Sequence, residues 1–361
     1  MSDRDPLADL GQIAFLLERA HEPTYRVRAF RNAAAVIAAL PEGELQARVA
    51  AGTLEELKGI GEATAGTITE SLAGTLPGYL AKLAARAPAS VAPGGEAIRA
   101  ALRGDLHSHS DWSDGGSPIE EMAGTAADVI GHSYLVLTDH SPRLTVARGL
   151  TAERLRRQLD VVAEINERLA PFRLLTGIEV DILEDGSLDQ DPELLARLDV
   201  VVASVHSKLR MDAESMTRRM VMAIANPHTD VLGHCTGRIV GRHPEAVAEG
   251  SVGQSDGKRG GSRGRPESEF DAELVFAACA RFDVAVELNS RPERLDPPKR
   301  LIHIAVEAGC RFAIDSDAHA PGQLDWQPHG CVRAVQCGLT PDQIVNTWDV
   351  DELLAWAGRN R

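Results

Sequence analysis

At 361 residues the chain is long enough for about two domains on the prior of ~150 residues each, and with 43% hydrophobic residues it can build a core without staples. Its formal net charge of -15 weighs against phosphate neutralisation along the whole chain, but residues 1–90 hold nine Lys/Arg against eleven Asp/Glu, so nearly all the excess lies later. Five scattered cysteines without a CxxC pair exclude a disulfide scaffold and point to a reducing compartment. No apolar run of ~18 residues and no basic start followed by an apolar core is present, so a cytoplasmic protein with no membrane segment is expected.

Residues 7–40 read as two helices. Leu7, Leu10, Ile13, Leu16 and Leu17 recur at helical spacing, and Val27, Phe30, Ala34, Ile37 and Leu40 do so again. His21-Glu22-Pro23 separates the two and Pro41 closes the second. Arg26, Arg28 and Arg31 gather near the start of the second, as a solvated face or as phosphate contacts. In the stretch from Leu54 to Ile68 a short helix is expected to end at Gly59, followed by a tight Gly-Ile-Gly turn and a second helix that opens with free N–H groups. Such an N-terminus binds a phosphate without a basic side chain. The pattern looks like a helix-hairpin-helix gripping a DNA backbone through Lys58, Gly59, Ile60, Gly61, Glu62 and Ala63; the plainer alternative is a turn with glycines for steric reasons.

Residues 1 to about 86 resemble the amino-terminal helical domain of family X DNA polymerases, through Arg26-Val27-Arg28-Ala29-Phe30-Arg31, Ala39-Leu40-Pro41 and the hairpin. Thr67 stands where some members place a Schiff-base lysine, so that chemistry is not expected here. Residues 87–101 have the small, Pro/Gly-rich start of a linker. It leads directly to His107-Ser108-His109, with no paired-Asp strand of a nucleotidyltransferase between, so polymerase activity is not expected.

On an extended segment His107 and His109 point the same way and can grip one ion, with Asp114 in the following polar turn offering an oxygen. From residue 102 onward apolar runs at 134–138, 173–180, 200–205, 231–233, 284–288 and 312–315 alternate with helical stretches such as 152–169. That alternation favours a parallel sheet, closed or open, and in a barrel function gathers at the carboxyl ends of the strands. His140, Glu179, His206, His234, Asp317 and His319 all fall there.

These motifs resemble the polymerase and histidinol phosphatase (PHP) family. The resemblance rests on Asp105-Leu106-His107-Ser108-His109, Thr138-Asp139-His140-Ser141-Pro142, Val146-Ala147-Arg148-Gly149-Leu150, Gly177-Ile178-Glu179, Ala203-Ser204-Val205-His206, Gly233-His234, Glu287-Leu288-Asn289 and Asp315-Ser316-Asp317-Ala318-His319. It implies an α/β fold, a distorted (β/α)7 barrel over residues 102–361 preceded by the small all-α domain. It also implies two or three divalent ions held by His107, His109, Asp114, His140, Glu179, His206, His234, Asp317 and His319, with Glu179 bridging two of them. Mixed imidazole and carboxylate ligands suit Zn, Mn or Fe. Coordination lowers the pKa of water from 15.7 to about 7, so a metal-bound hydroxide is the expected nucleophile. Glu179, Asp317, His319 and Arg148 are the residues on which catalysis is expected to rest, and Arg148, Lys208 and Arg238 are candidates to hold substrate phosphate.

Two features depart from the family pattern. Cys235 stands where Pro is common, packing there or perturbing the site, and residues 245–268 read as a disordered insertion whose basic half, Lys258 to Arg265, could reach a nucleic-acid backbone. The leading expectation is a DNA-directed phosphoesterase, a 3'-5' exonuclease or a 3'-end-processing phosphodiesterase or phosphatase in DNA repair, with DNA as partner. The alternatives are a small-molecule phosphatase of the histidinol-phosphatase type and a non-catalytic DNA-binding repair adaptor. Oligomeric state leaves no trace in the sequence.

Overall fold

The computed structural model describes residues 4–240 and 264–360. It divides into two compact units, Met1–Val91 with Pro321–Gln323, and Ala92–Ala320 with Leu324–Arg361.

The first unit holds α1 (Pro6–Arg19), α2 (Thr24–Ala38), α3 (Glu44–Ala51), α4 (Glu62–Leu72) and α5 (Gly78–Arg86). Asp5 caps α1 by accepting the Leu7 N–H, and Pro6 sits where its missing N–H costs nothing. Leu10, Ile13, Ala14 and Leu17, spaced for one helical face, are fully buried against Phe30, Ala33 and Ile37 of α2, Ile68 of α4 and Leu80 of α5. The helix expected before Gly59 is instead a single 3-10 turn, Leu54–Glu56. Gly52 and Gly59 both adopt positive φ, 68° and 103°, so the chain leaves helical geometry on either side of this turn.

The second unit opens with α6 (Glu96–Ala101), part of the segment assigned by composition to the linker, whose Ile98 is buried in the barrel core. The strands are β1 (Gly104–Ser108), β2 (Tyr134–Leu137), β3 (Arg173–Asp181), β4 (Val200–Ser204), β5 (Val231–Leu232), β6 (Ala285–Asn289) and β7 (Phe312–Asp315). They pair in parallel in chain order. Between them run α7 (Ile119–Thr125), α8 (Ala152–Leu169), α9 (Pro192–Leu195), α10 (Ala213–Ile224), α11 (Ala272–Phe282) and α12 (Lys299–Glu307), and after them α13 (Gln327–Gln336) and α14 (Val350–Ala357).

Strands covered on both faces need apolar residues on both, and that is their composition. Tyr134, Val136, Leu175, Val200, Val202, Val231, Ala285 and Ala313 form one buried cluster, while Ile178, Val180, Val201, Ala203, Leu232, Val286, Leu288 and Ile314 join a second with Leu155, Met216, Val275 and Ile302 of the helices. By the two-residue period Glu179 shares a strand face with Leu175, and Glu287 with Ala285. That face turns from apolar to polar toward the carboxyl ends.

The sheet closes only narrowly, through a bridge between Ser108 and Ala318 and the His109 N–H donated to Ala318 O at 2.8 Å. Side chains supplement it: Asp315 accepts the Leu106 N–H at 3.0 Å and Asp105 the Ser316 N–H at 3.2 Å. This is the distorted seven-stranded β/α barrel with a small helical domain that the sequence implies. Of the expected insertion, residues 241–263 lie outside the described residues; beyond them Arg265 pairs antiparallel with Ile239 and its Nε donates to Gly237 O, so this end is fixed to the barrel. Among the described residues no helix is long and apolar enough to cross a membrane.

Leu106 is completely buried in β1. Leu106→Ala is expected to lower stability by about 2–5 kcal/mol through lost burial and the cavity left behind, measured by urea denaturation; a loss within experimental error contradicts this packing.

Candidate metal centre

The strand ends and the loops beyond them bring nine residues of the sequence-derived set into one cup. His107 and His109 come from the end of β1, Asp114 from the next turn, His140 from beyond β2, Glu179 from β3, His206 and His234 from beyond β4 and β5, and Asp317 and His319 from beyond β7. Their donor atoms fall into four overlapping groups, each within 4.8 Å: His109, Asp114, His140 and His319; His107, Glu179 and His234; His107, His109 and Asp317; and His140, Glu179 and His206.

Local structure explains the placement. The Asp114 turn folds back so tightly that a Cβ on Gly115 would lie 2.6 Å from Ser110 O. Asp139, wholly buried, ties this turn to β2 by accepting the Ser110 N–H at 2.8 Å and the Ser113 hydroxyl at 2.5 Å. Asp317 adopts a left-handed φ of 51°, unusual for a residue with a side chain.

Glu179 is the centre of the cup. Its Oε1 lies 2.8 Å from His234 Nε2 and 3.1 Å from His206 Nε2; its Oε2 lies 2.9 Å from His140 Nδ1, 3.4 Å from His107 Nε2 and 3.6 Å from His109 Nε2. Burial pushes its pKa up, but the surrounding imidazoles outweigh this and hold it well below the usual carboxylate range.

Nevertheless both Glu179 oxygens, His107 Nε2, His109 Nε2, His140 Nδ1 and His206 Nε2 are buried without a hydrogen-bond partner among the described residues. Buried polar atoms are almost always bonded, so an orphaned set of lone pairs converging on one point fits divalent cations. The outward faces of the rings support the same reading. His107 Nδ1 lies 2.6 Å from Glu287 Oε1 and His206 Nδ1 2.7 Å from Asp181 Oδ1, the arrangement that turns the other ring nitrogen toward a metal. His319 Nδ1 lies 2.9 Å from the Asp317 carbonyl.

Of the three expected phosphate ligands, two are bonded to loop carbonyls. Arg148 donates to the carbonyls of Asp111 and Ser113 and so braces the Asp114 turn. Lys208 is exposed. Arg238 spends its guanidinium on the Arg294 and Leu295 carbonyls and faces Glu267 at 3.5 Å. Cys235 is buried with its sulfur 4.0 Å from Asp296, and burial pushes its thiol pKa well up; it belongs to none of the four donor groups.

Among the described residues Arg291 and Arg294 approach the cup, 3.6 and 3.3 Å from the Asp317 carboxylate. Sequence reasoning missed both. The signal lay in Glu287, Asn289 and Arg291, whose spacing of two carries the inner face of β6 past its end.

In the first unit, Ile60 is buried, its N–H bonds Leu57 O, and the Gly61 N–H bonds Thr64 Oγ1 at 2.9 Å. Lys58, Gly59, Gly61, Glu62 and Ala63 are exposed. The N–H groups of Glu62 and Ala63 have no partner among the described residues. Arg26 is bonded to Glu22 and Tyr79, and Arg31 to Glu18.

Fold and cup define the class, a seven-stranded parallel barrel with a cup of imidazoles and carboxylates at its carboxyl ends. The chain belongs to the PHP family: the PHP domain profile matches residues 105–291, and that of a helix-hairpin-helix domain matches residues 1–75. Over 259 residues it is 35% identical to the DNA polymerase/3'-5' exonuclease PolX of Bacillus subtilis (strain 168), covering 72% of this chain and 41% of that protein. It therefore spans about two fifths of that relative's length. A probable phosphatase of Acetivibrio thermocellus is 31% identical over 60% of this chain and 78% of its own length. A probable phosphatase of Thermoanaerobacter sp. (strain X514) is 26% identical over 67% and 89%.

Burial opposes charge on His140, but Glu179 and Asp114 prevail and push its pKa up to about 10. The ring thus holds a proton at neutral pH that an ion must displace. Apparent metal affinity is expected to rise with pH between about 6 and 9, with protons released on binding. Chelator competition and calorimetry in two buffers measure both, and an affinity independent of pH contradicts the assignment.

Proposed function

We propose that this chain hydrolyses phosphoester bonds at the 3' ends of DNA, as a 3'-5' exonuclease or a 3'-end phosphodiesterase or phosphatase in DNA repair. The observation that carries the reading is the joining, in one chain, of a helix-hairpin-helix domain with exposed N–H groups at a helix start and a barrel whose nine-residue donor set is intact. A helix N-terminus grips a phosphate backbone irrespective of sequence, and does so without the positive charge this chain lacks. Its similarity to a named polymerase/exonuclease supports the same substrate. The helix-hairpin-helix match ends at residue 75 and the PHP match begins at 105, leaving no room for a polymerase palm between them.

In this reading His107, His109, Asp114, His140, Glu179, His206, His234, Asp317 and His319 hold two or three divalent ions, of which Zn, Mn and Fe all suit the donors. Such ions supply Lewis acidity and a water-derived nucleophile at neutral pH. The protein's part is to orient. Glu287 and Asp181 fix the ring faces of His107 and His206, Asn289 donates to Asp317 Oδ2 at 3.0 Å, and the floor of the cup, from His107 to His234, is closed to bulk water.

The probable phosphatases among the relatives favour a second reading, hydrolysis of a small ester such as histidinol phosphate; a DNA-binding adaptor is a third. Metal-loaded protein incubated with a 3'-labelled oligonucleotide and with histidinol phosphate separates them. Shortening or dephosphorylation of the oligonucleotide is the expected result. Orthophosphate from the small ester alone favours the second, and no hydrolysis the third.

Glu179→Ala is expected to abolish hydrolysis while leaving DNA affinity largely unchanged. Gly59→Val, forcing a β-branched residue to a φ of 103°, should do the reverse, weakening DNA binding while sparing hydrolysis of a small ester. Equal loss of both properties in either folded variant contradicts this division of labour.

A further inference from the structure

Five of the donor residues, His107, His109, Glu179, His234 and Asp317, are at most 2% exposed and form the floor of the cup. Asp114 and His319 have side chains 37% and 20% exposed, and Arg291 stands beside them at 17%. These three lie nearer solvent than the floor.

Arg291 is held in an unusual way for a surface arginine. Its Nε and Nη2 both donate to Glu293 Oε1, at 3.2 and 2.8 Å, and its own N–H is taken by Asn289 Oδ1 at 3.2 Å. Only Nη1 is directed at the cup, 3.2 Å from the Asp317 carbonyl, 2.8 Å from His319 Nδ1 and 3.6 Å from Asp317 Oδ1. An arginine serving only as a surface ion pair would be satisfied by Glu293. Here two nitrogens fix the plane of the guanidinium, so its remaining donor is preorganised and little rotamer freedom is lost when an anion binds.

Arg294 differs. Its Nε lies 3.3 Å from Asp317 Oδ2, the oxygen that also accepts from Asn289. These two residues together turn the opposite oxygen, Oδ1, toward His107 and His109 at 3.9 and 3.4 Å.

We propose that Arg291 contacts a phosphoryl oxygen of the substrate at the rim of the cup, and that Arg294 is a positioning residue acting through Asp317. The assignment rests on the cup being a phosphoester site; Arg148 and Arg238 donate to loop carbonyls instead. Were His319 to hold a cation through Nε2, its Nδ1 would carry a proton for the Asp317 carbonyl and could not accept from Arg291, which would leave one Nη1 hydrogen for an incoming anion. A guanidinium bond to a phosphate oxygen is charge-assisted and among the stronger single contacts available.

The test is calorimetric titration of inorganic phosphate into the metal-loaded full chain, with metal content measured on the same samples. Arg291→Gln is expected to weaken phosphate binding about 10- to 100-fold at unchanged metal stoichiometry, and Arg291→Lys to recover part of the loss. Arg294→Gln is expected to lose metal along with phosphate. Wild-type phosphate affinity in Arg291→Gln, or a loss that merely follows the loss of metal, overturns the assignment. If the wild-type protein itself binds no phosphate, the phosphoester reading fails first and takes the proposal with it.

Discussion

A carboxylate 1% exposed, facing five imidazoles with neither oxygen hydrogen-bonded, is the constraint on which this barrel depends. Leaving a buried polar group unsatisfied costs about 1–3 kcal/mol, and Glu179 and its neighbours contribute several such groups at one point. Protonated imidazoles offset part of that cost, but their mutual repulsion drives His109, already disfavoured by burial, well below its ordinary pKa. Cations with several coordination positions satisfy all these lone pairs together. Bound cations would thereby link the stability of the strand ends to metal binding.

Holding that convergence takes a second layer of buried acids that carry no donor atom of their own into the cup. Glu287 lies against His107 through one oxygen and accepts the His234 N–H at 2.5 Å through the other, joining the ends of β1, β5 and β6. Asp139 gathers Ser110, Ser113 and Gln158, and Asp296 gathers Thr236 and the Arg238 N–H. Each spends its charge on backbone and hydroxyl donors of a loop that bears a histidine or Asp114. The excess negative charge of the chain is therefore partly structural. It does not speak against a polyanionic substrate, because the arginines nearest the cup sit at its rim.

Much of this was legible in the residues. Continuous apolar runs gave the strands, because a strand buried on both faces cannot hide its composition, and the placement of His, Asp and Glu at the ends of these runs pointed to the donor set. The hairpin was visible in Gly59-Ile60-Gly61, although the short helix expected before it is a 3-10 turn. Arg291 and Arg294 were not read, because a basic residue in a Pro-rich loop looks like any solvated charge. Arg148 and Arg238 were read from their proximity in sequence to His140 and His234, which says nothing about which way a long side chain turns; both are bonded to loop carbonyls. The fixed start of 264–268 was hidden by its Gly/Arg composition.

Sequence by itself determined the alternation of strands and helices and the identity of the groups able to bind metal, since these follow from local periodicity and residue chemistry; the order and closure of the sheet came from the structure. Only the tertiary structure decided which nitrogen of each ring faces inward, which oxygen of Asp317 is clamped, and which arginine reaches the cup. Those choices are made by contacts between residues as far apart as 107 and 287, and no local pattern encodes the direction in which distant strands deliver them.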